Sequence, residues 1–288
     1  VVTIKIGGVP EHFNLPWQLA IEQQLFEKHN IRVDWNYYAG GTGEMVTALK
    51  NNELDLAILL TEGFLSAVSK GLQAVVVKEY ISSPLVWGIF TGARSGIKSV
   101  YDESAKKIAI SRPGSGSHLM ALIHAEQRGE SITDYELVEI KSLQGAVHSL
   151  VNNESDLFYW EKYTTKAHVE SGELKMIGEF SAPWSSFLVT ANKSILAEKG
   201  ESIHTVLAIM NNFCIDFVKD PNSTVELQKR FHLSEAEVKT WLAQTIWNTS
   251  FSLRKQGLRN AIDSLQKIDA SFTIPDYNSF VAENILLR

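Results

Sequence analysis

The chain has 288 residues, 44% of them hydrophobic and 21% charged, and its 27 Lys and Arg against 33 Asp and Glu leave a net charge of −6. That length holds one large or two ordinary α/β domains, and the composition excludes a disordered chain. An acidic balance without any long run of one sign argues against a nucleic-acid surface, and no run reaches the ~18 apolar residues of a membrane-crossing helix.

Taken in chain order, residues 2–6 read as a strand and 15–28 as an amphipathic helix ending at Asn30. A strand at 31–37, a helix at 44–51, a buried strand at 54–60, a helix at 63–70 stopped by Gly71 and a strand at 72–80 follow. This alternation predicts a mainly parallel sheet flanked by helices. After Ser82-Ser83-Pro84 and a strand at 85–91 the alternation restarts, with strands at 107–111, 137–140, 156–159 and 174–180 and helices near 117–128, 143–152 and 161–171. A strand at 187–190 precedes a remainder that is helical in pattern. The expected organisation is a first lobe of residues 1–88 and 189–288 and an inserted second lobe of residues 89–188, with hinges near 88–92 and 184–190. The single Cys214, within Phe213-Cys214-Ile215, reads as a buried structural thiol.

Two glycine-rich turns stand out. Ser111-Arg112-Pro113-Gly114-Ser115-Gly116-Ser117-His118 joins a strand to a helix, and Tyr38-Ala39-Gly40-Gly41-Thr42-Gly43-Glu44 does the same in the first half. Each places small and hydroxyl residues beside the unpaired amides of a helix N-terminus, where an anionic or strongly hydrogen-bonding group is stabilised. An internal match links the halves: Leu49-Lys50-Asn51-Asn52-Glu53-Leu54-Asp55-Leu56 parallels Leu150-Val151-Asn152-Asn153-Glu154-Ser155-Asp156-Leu157. Shared turn chemistry is the alternative explanation of so short a match.

These turns, together with Gly7-Gly8-Val9-Pro10, the Asn52-Glu53-Leu54-Asp55-Leu56-Ala57 approach to a strand, and Tyr159-Trp160-Glu161, resemble the type II periplasmic-binding-protein fold. The resemblance is to the superfamily of nitrate-, sulfonate- and taurine-binding proteins and thiamine-pyrimidine proteins, and it covers nearly the whole chain. It implies two α/β lobes closing on a small molecule. No lipobox or export signal is visible, so a transporter partner does not carry over; a branch of such proteins also occurs in fungi without an evident export role. The compartment stays open: cytoplasmic if no leader was removed, periplasmic or secreted otherwise. Fungal thiamine-pyrimidine synthases share the fold but carry a cysteine-rich motif, and with one Cys their iron chemistry is not expected here.

Ligands of open α/β sheets gather beyond the carboxyl ends of the strands. The residues there are Pro10, Glu11 and His12; Gly41 and Thr42; Thr61 and Glu62; Ser115, Gly116, Ser117 and His118; Trp160 and Glu161; and Trp184. Each has a second reading. Ser115, Ser117 and Thr42 serve equally as helix caps, Glu62 and Glu161 as N-terminal helix charges, and His12 as a turn residue packed on Trp17. If the carboxylates face the ligand, it carries a donor as well, and Trp160 with Glu161 would suit a flat nitrogen heterocycle. No metal, cofactor or catalytic set is expected: His118 and His124 are not at helical ligand spacing, and Gly114-Ser115-Gly116 lacks the pattern of a nucleophile elbow. The expected function is non-enzymatic binding of an aminopyrimidine-like heterocycle or an amino-sulfonate. The alternative is an enzyme of cofactor biosynthesis on the same fold.

Overall fold

Strand-length apolar runs and amphipathic segments fold into two α/β units, each with its own five-stranded sheet; the computed structural model describes residues 1–287. Unit 1 begins with β1 (Val2–Gly8), α1 (Leu15–Glu22), β2 (Ile31–Tyr37), α2 (Gly41–Lys50), β3 (Leu56–Leu60), α3 (Thr61–Ser69) and β4 (Ala74–Ile81). Unit 2 holds β5 (Val86–Gly92), β6 (Lys107–Ile110), α4 (Gly116–Gln127), β7 (Glu136–Glu139), α5 (Leu143–Val151), β8 (Leu157–Glu161), α6 (Lys166–Glu170) and β9 (Leu174–Ser181). The chain then returns to unit 1 for β10 (Phe187–Asn192), α7 (Lys193–Phe217), α8 (Pro221–Phe231) and α9 (Glu235–Gln244), followed by α10 (Lys255–Ile268).

The two sheets share one design. Their orders are β2-β1-β3-β10-β4 and β7-β6-β8-β5-β9, and in each the first three strands are parallel while the fourth runs antiparallel to both neighbours. The repeated sequence segment marks the same step in both. Asn52 and Asn153 take left-handed backbone, at φ 58° and 56°, a conformation Asn tolerates better than most residues. Three residues later Asp55 Oδ2 accepts from the Lys5 amide at 2.9 Å, and Asp156 Oδ2 accepts from the Lys106 and Lys107 amides at 2.8 Å each. Each carboxylate thus fixes the start of its parallel strand on the strand beside it.

Local chemistry sets the helix limits. Ser115, Ser142, Asn192, Asp220 and Ser234 cap α4, α5, α7, α8 and α9 through their side chains, and Ser234 with Glu237 closes a reciprocal capping box. The helix expected over 15–28 is shorter, because Gln24 is left-handed at φ 54° and the chain continues as a 3-10 turn to Asn30. In unit 2 a core of Phe90, Ala109, Ala146, Val147, Leu150, Phe158 and Leu174 fills the face of the sheet that carries α5. Gly92 lies against α5: a Cβ there would stand 2.5 Å from the Leu150 carbonyl oxygen, whereas one at Gly96 would meet open space. Backbone cannot rotate aside, so Gly92→Ala is expected to cost about 2 kcal/mol of stability while Gly96→Ala changes little, as denaturant midpoints will show.

The chain passes between units at 83/84 and 183/184, the first a few residues before the expected 88–92 and the second at the edge of the expected 184–190; those segments lie largely in β5 and β10, whose ladders hold them. Two further crossings fall at 259/260 and 273/274, so that residues 260–273 belong with unit 2 where the sequence placed all of 189–288 in the first lobe. There Lys267 pairs with Glu126 of α4 at 2.8 Å and Asn260 Nδ2 donates to the Pro183 carbonyl at 3.1 Å. Cys214 is buried, and that burial pushes its thiol up to about 12. Among the described residues no helix is long and apolar enough to cross a membrane.

Candidate ligand-binding site

In unit 1 the ends of β1, β2 and β3 divide the predicted residues into two groups. Thr42, at the start of α2, accepts the Leu60 amide on its hydroxyl at 3.1 Å, and its methyl occupies the space a side chain at Gly63 would need. Gly41 before it is left-handed at φ 69°. Thr61 and Glu62 open α3 and hold the returning chain: Thr61 Oγ1 donates to the Ser185 carbonyl at 2.5 Å, the Thr61 amide donates to the Ser186 carbonyl at 3.1 Å, and Trp184 Nε1 donates to Glu62 Oε2 at 2.9 Å. Glu62 and Trp184 are both buried, and burial pushes the Glu62 carboxyl up to about 7 against the opposing pull of its own amide and the indole.

His12 belongs elsewhere. Its ring packs on Phe13 at 4.6 Å, Trp241 at 4.5 Å and Phe231 at 5.8 Å, and complete desolvation lowers its pKa to about 3, so the imidazole is neutral. Pro10 is exposed and Glu11 half-buried in the turn that leads to it. Asn14, which precedes α1, was not among the predicted residues. It is buried, its Nδ2 donates to the Val9 carbonyl at 2.9 Å, and its Oδ1 is buried with no hydrogen-bond donor among the described residues. The signal was an Asn directly before Leu15-Pro16.

In unit 2 the Ser111–His118 turn closes on itself. Ser117 Oγ accepts the Ser111 amide at 2.9 Å and lies 3.0 Å and 3.1 Å from the hydroxyls of Ser111 and Ser115. Ser115 caps α4 by accepting the His118 amide at 3.4 Å, and His118 Nδ1 accepts the Gly114 amide at 2.9 Å. The hydroxyls are therefore engaged within the turn, while Gly116 and Ser117 begin the helix, where backbone amides have no intrahelical carbonyl. Trp160 and Glu161 do not converge, because neighbours on a strand face opposite sides of the sheet. Trp160 stacks on Phe158 at 5.2 Å beside the α5-side core, whereas Glu161 is buried and takes the Tyr163 and Thr164 amides on Oε2 at 2.9 and 2.8 Å. Burial pushes the Glu161 carboxyl up to about 7 in spite of those amides. The unit 2 loops also carry Arg112, half-buried, and Lys141, exposed and left-handed at φ 66°, at the ends of β6 and β7. A separate cavity of about 590 Å³ in unit 1, bordered by Leu19, Leu25, Ile209, Phe213 and Asp216, contains none of the predicted residues.

Two like-built α/β sheets, with glycine-rich helix starts at their strand ends, define the fold of the periplasmic binding proteins. The sequence model of the family described as Ca3427-like PBP matches residues 87–180. Over 99% of this chain and 98% of the other, the structure is similar to the Candida albicans CA3427 gene product, described as exhibiting the generic periplasmic binding protein fold, at 24% identity and a TM-score of 0.88. It is similar also to the alkanesulfonate-binding protein SsuA from Xanthomonas axonopodis pv. citri bound to MOPS, at 17% identity and a TM-score of 0.78 over 100% and 99% of the two chains. The aliphatic sulphonate binding protein SsuA from Escherichia coli matches at 17% identity and a TM-score of 0.74 over 100% and 94%. No curated protein matches the chain.

Proposed function

We propose that this chain binds a small polar organic molecule without turning it over, using strand-end segments of both units and closing on the ligand. The observation that carries this reading is the start of α4. Ser115 and Ser117 spend their hydroxyls on the turn itself, so the group offered to a ligand is the backbone of the helix's first turn, a natural anion acceptor. The sulfonate-binding proteins of like fold favour an organic sulfonate, an amino-sulfonate included, over an aminopyrimidine. The weakened case for a flat heterocycle has its own physical cause, since Trp160 and Glu161 leave β8 on opposite faces.

An enzyme on this fold would draw on buried acids titrating near neutrality, and Glu62 and Glu161 are such groups. Each holds its own chain, however: Glu62 the Trp184 indole, and Glu161 the amides of Tyr163 and Thr164. Binding is the reading these contacts support. Native mass spectrometry of freshly purified protein is expected to show a co-purifying small molecule with an anionic group, released on denaturation. A protein mass without adduct, together with no heat on titration of MOPS, taurine or ethanesulfonate, would defeat the reading.

A further inference from the structure

We propose that unit 1 carries a second small-molecule site, the cavity between α1, α7 and α8, and that it takes an amine with an apolar body, the ammonium resting on Asp216. Every residue bordering this cavity belongs to unit 1. The cavity lies at the end of α1 and against the 3-10 turn Glu27–His29 that leads into β2, whereas the strand-end turns described above lie at the other end of the same sheet. β1 and β2 have seven residues each, so the two places are about 20 Å apart.

The walls suit an apolar body. Leu19, Leu25, Ile209 and Phe213 border the cavity and are only half-buried, with the buried Phe217 beside them, and a volume of about 590 Å³ accommodates a small organic molecule. The walls are also tied together. Arg230 of α8 donates to Glu22 of α1 at 2.7 and 2.8 Å, and its Nε donates to Glu226 at 2.6 Å. That guanidinium is engaged by two carboxylates and offers little to an anion.

The remaining charge selects a cation. Asp216 and Asp220 stand four residues apart where α7 ends, and the Asp220 amide donates to the Asp216 carbonyl at 2.9 Å. Like charges at that spacing repel, and the negative end of the helix dipole disfavours a carboxylate there. Asp220 has its own explanation, because its Oδ1 accepts the Asn222 amide at 2.9 Å and caps α8. Asp216 has none: its carboxylate borders the cavity with no hydrogen bond or ion pair among the described residues. An ammonium seated on it would offset both the repulsion and the dipole. Lys28 borders the cavity too, but its charge rides on a long flexible stem that solvent accommodates, whereas the short side chain of Asp216 is fixed to a helix.

Calorimetry with phenethylamine and with hydrocinnamate, a like body of opposite charge, tests the site. Wild type is expected to bind the amine and not the acid. Asp216→Asn should weaken amine binding by about tenfold or more, yet melt no lower than wild type, because it removes a carboxylate that the helix end disfavours. Asn212→Trp places a large ring at an exposed position on the cavity border and should block the amine without disturbing the core. Excess MOPS and the Gly116→Pro substitution should both leave amine binding unchanged, so failure of sulfonate binding and failure of this site are separate results. No binding of phenethylamine, equal binding of hydrocinnamate, or an amine affinity unchanged in Asp216→Asn or in Asn212→Trp overturns the proposal. So does a dimer in sedimentation that Asn212→Trp dissolves, since a second copy would then cover the cavity.

Discussion

Raising the pH from 4.5 through 7 is expected to weaken the fold, and lowering it from 6.5 towards 3 to weaken it from the other side, so that thermal stability peaks between. Glu62 and Glu161 are buried and protonate more readily folded than unfolded, their carboxyls lying near 7. Their stabilising contribution is complete below the unfolded value of 4.5 and is lost as pH rises through about 7, roughly 3 kcal/mol for each. His12 has the opposite sign. Its folded pKa is depressed to about 3 from 6.5, so its contribution is complete above 6.5 and falls away towards 3, on the order of 5 kcal/mol. His124, stacked on Phe180 and lowered to about 4, adds to the acid limb. Differential scanning calorimetry across this range will show the peak. Glu62→Gln should flatten the alkaline limb and His12→Phe the acid limb; a midpoint that climbs steadily from pH 5 to 8 would contradict the assignment.

Sulfonate binding is expected to fall by tenfold or more in Gly116→Pro and by less in Ser115→Ala or Ser117→Ala. Gly116 is the first residue of α4, a position where proline is well accepted. Ser115 before it has φ −74° and ψ 165°, the extended backbone a following proline requires. The substitution thus deletes one amide donor and little else. Ser115→Ala removes the cap of His118 and should cost about 1 kcal/mol in stability, yet leaves the first-turn amides. Titration of MOPS into the three variants decides the point: equal losses, with melting temperatures preserved, would return the binding role to the hydroxyls.

Much of the architecture was legible because its signals are local. The Asn52 and Asn153 turns, the Asp55 and Asp156 approaches and the capping serines act within a few residues of themselves, and the two-fold repetition of the β-α-β step followed. The fold resemblance drawn from the glycine turns held for the same reason. What escaped depends on distant partners. Nothing near Glu62 announces that Trp184, 122 residues on, will donate to it, nor does anything near His12 announce that it will meet Trp241. Other misses were local but read too generously: Glu161 followed by Tyr163-Thr164 is a self-capped turn, and alternation along β8 already separates it from Trp160. The crossing at 259/260 was missed because it lies inside a continuous helix.

That interrupted membership of α10 bears on how the protein can be taken apart. A fragment cut at both 83/84 and 183/184 would carry all of the second sheet but lack residues 260–273, and with them the Lys267 partner of Glu126 and the Asn260 hold on Pro183. Residues 84–183 expressed alone would present raw surface where that helix belongs, and a synthetic peptide spanning 255–273 is the missing piece to supply in trans. Separate refolding of the halves, routine for proteins joined by simple linkers, here becomes a three-body reassembly.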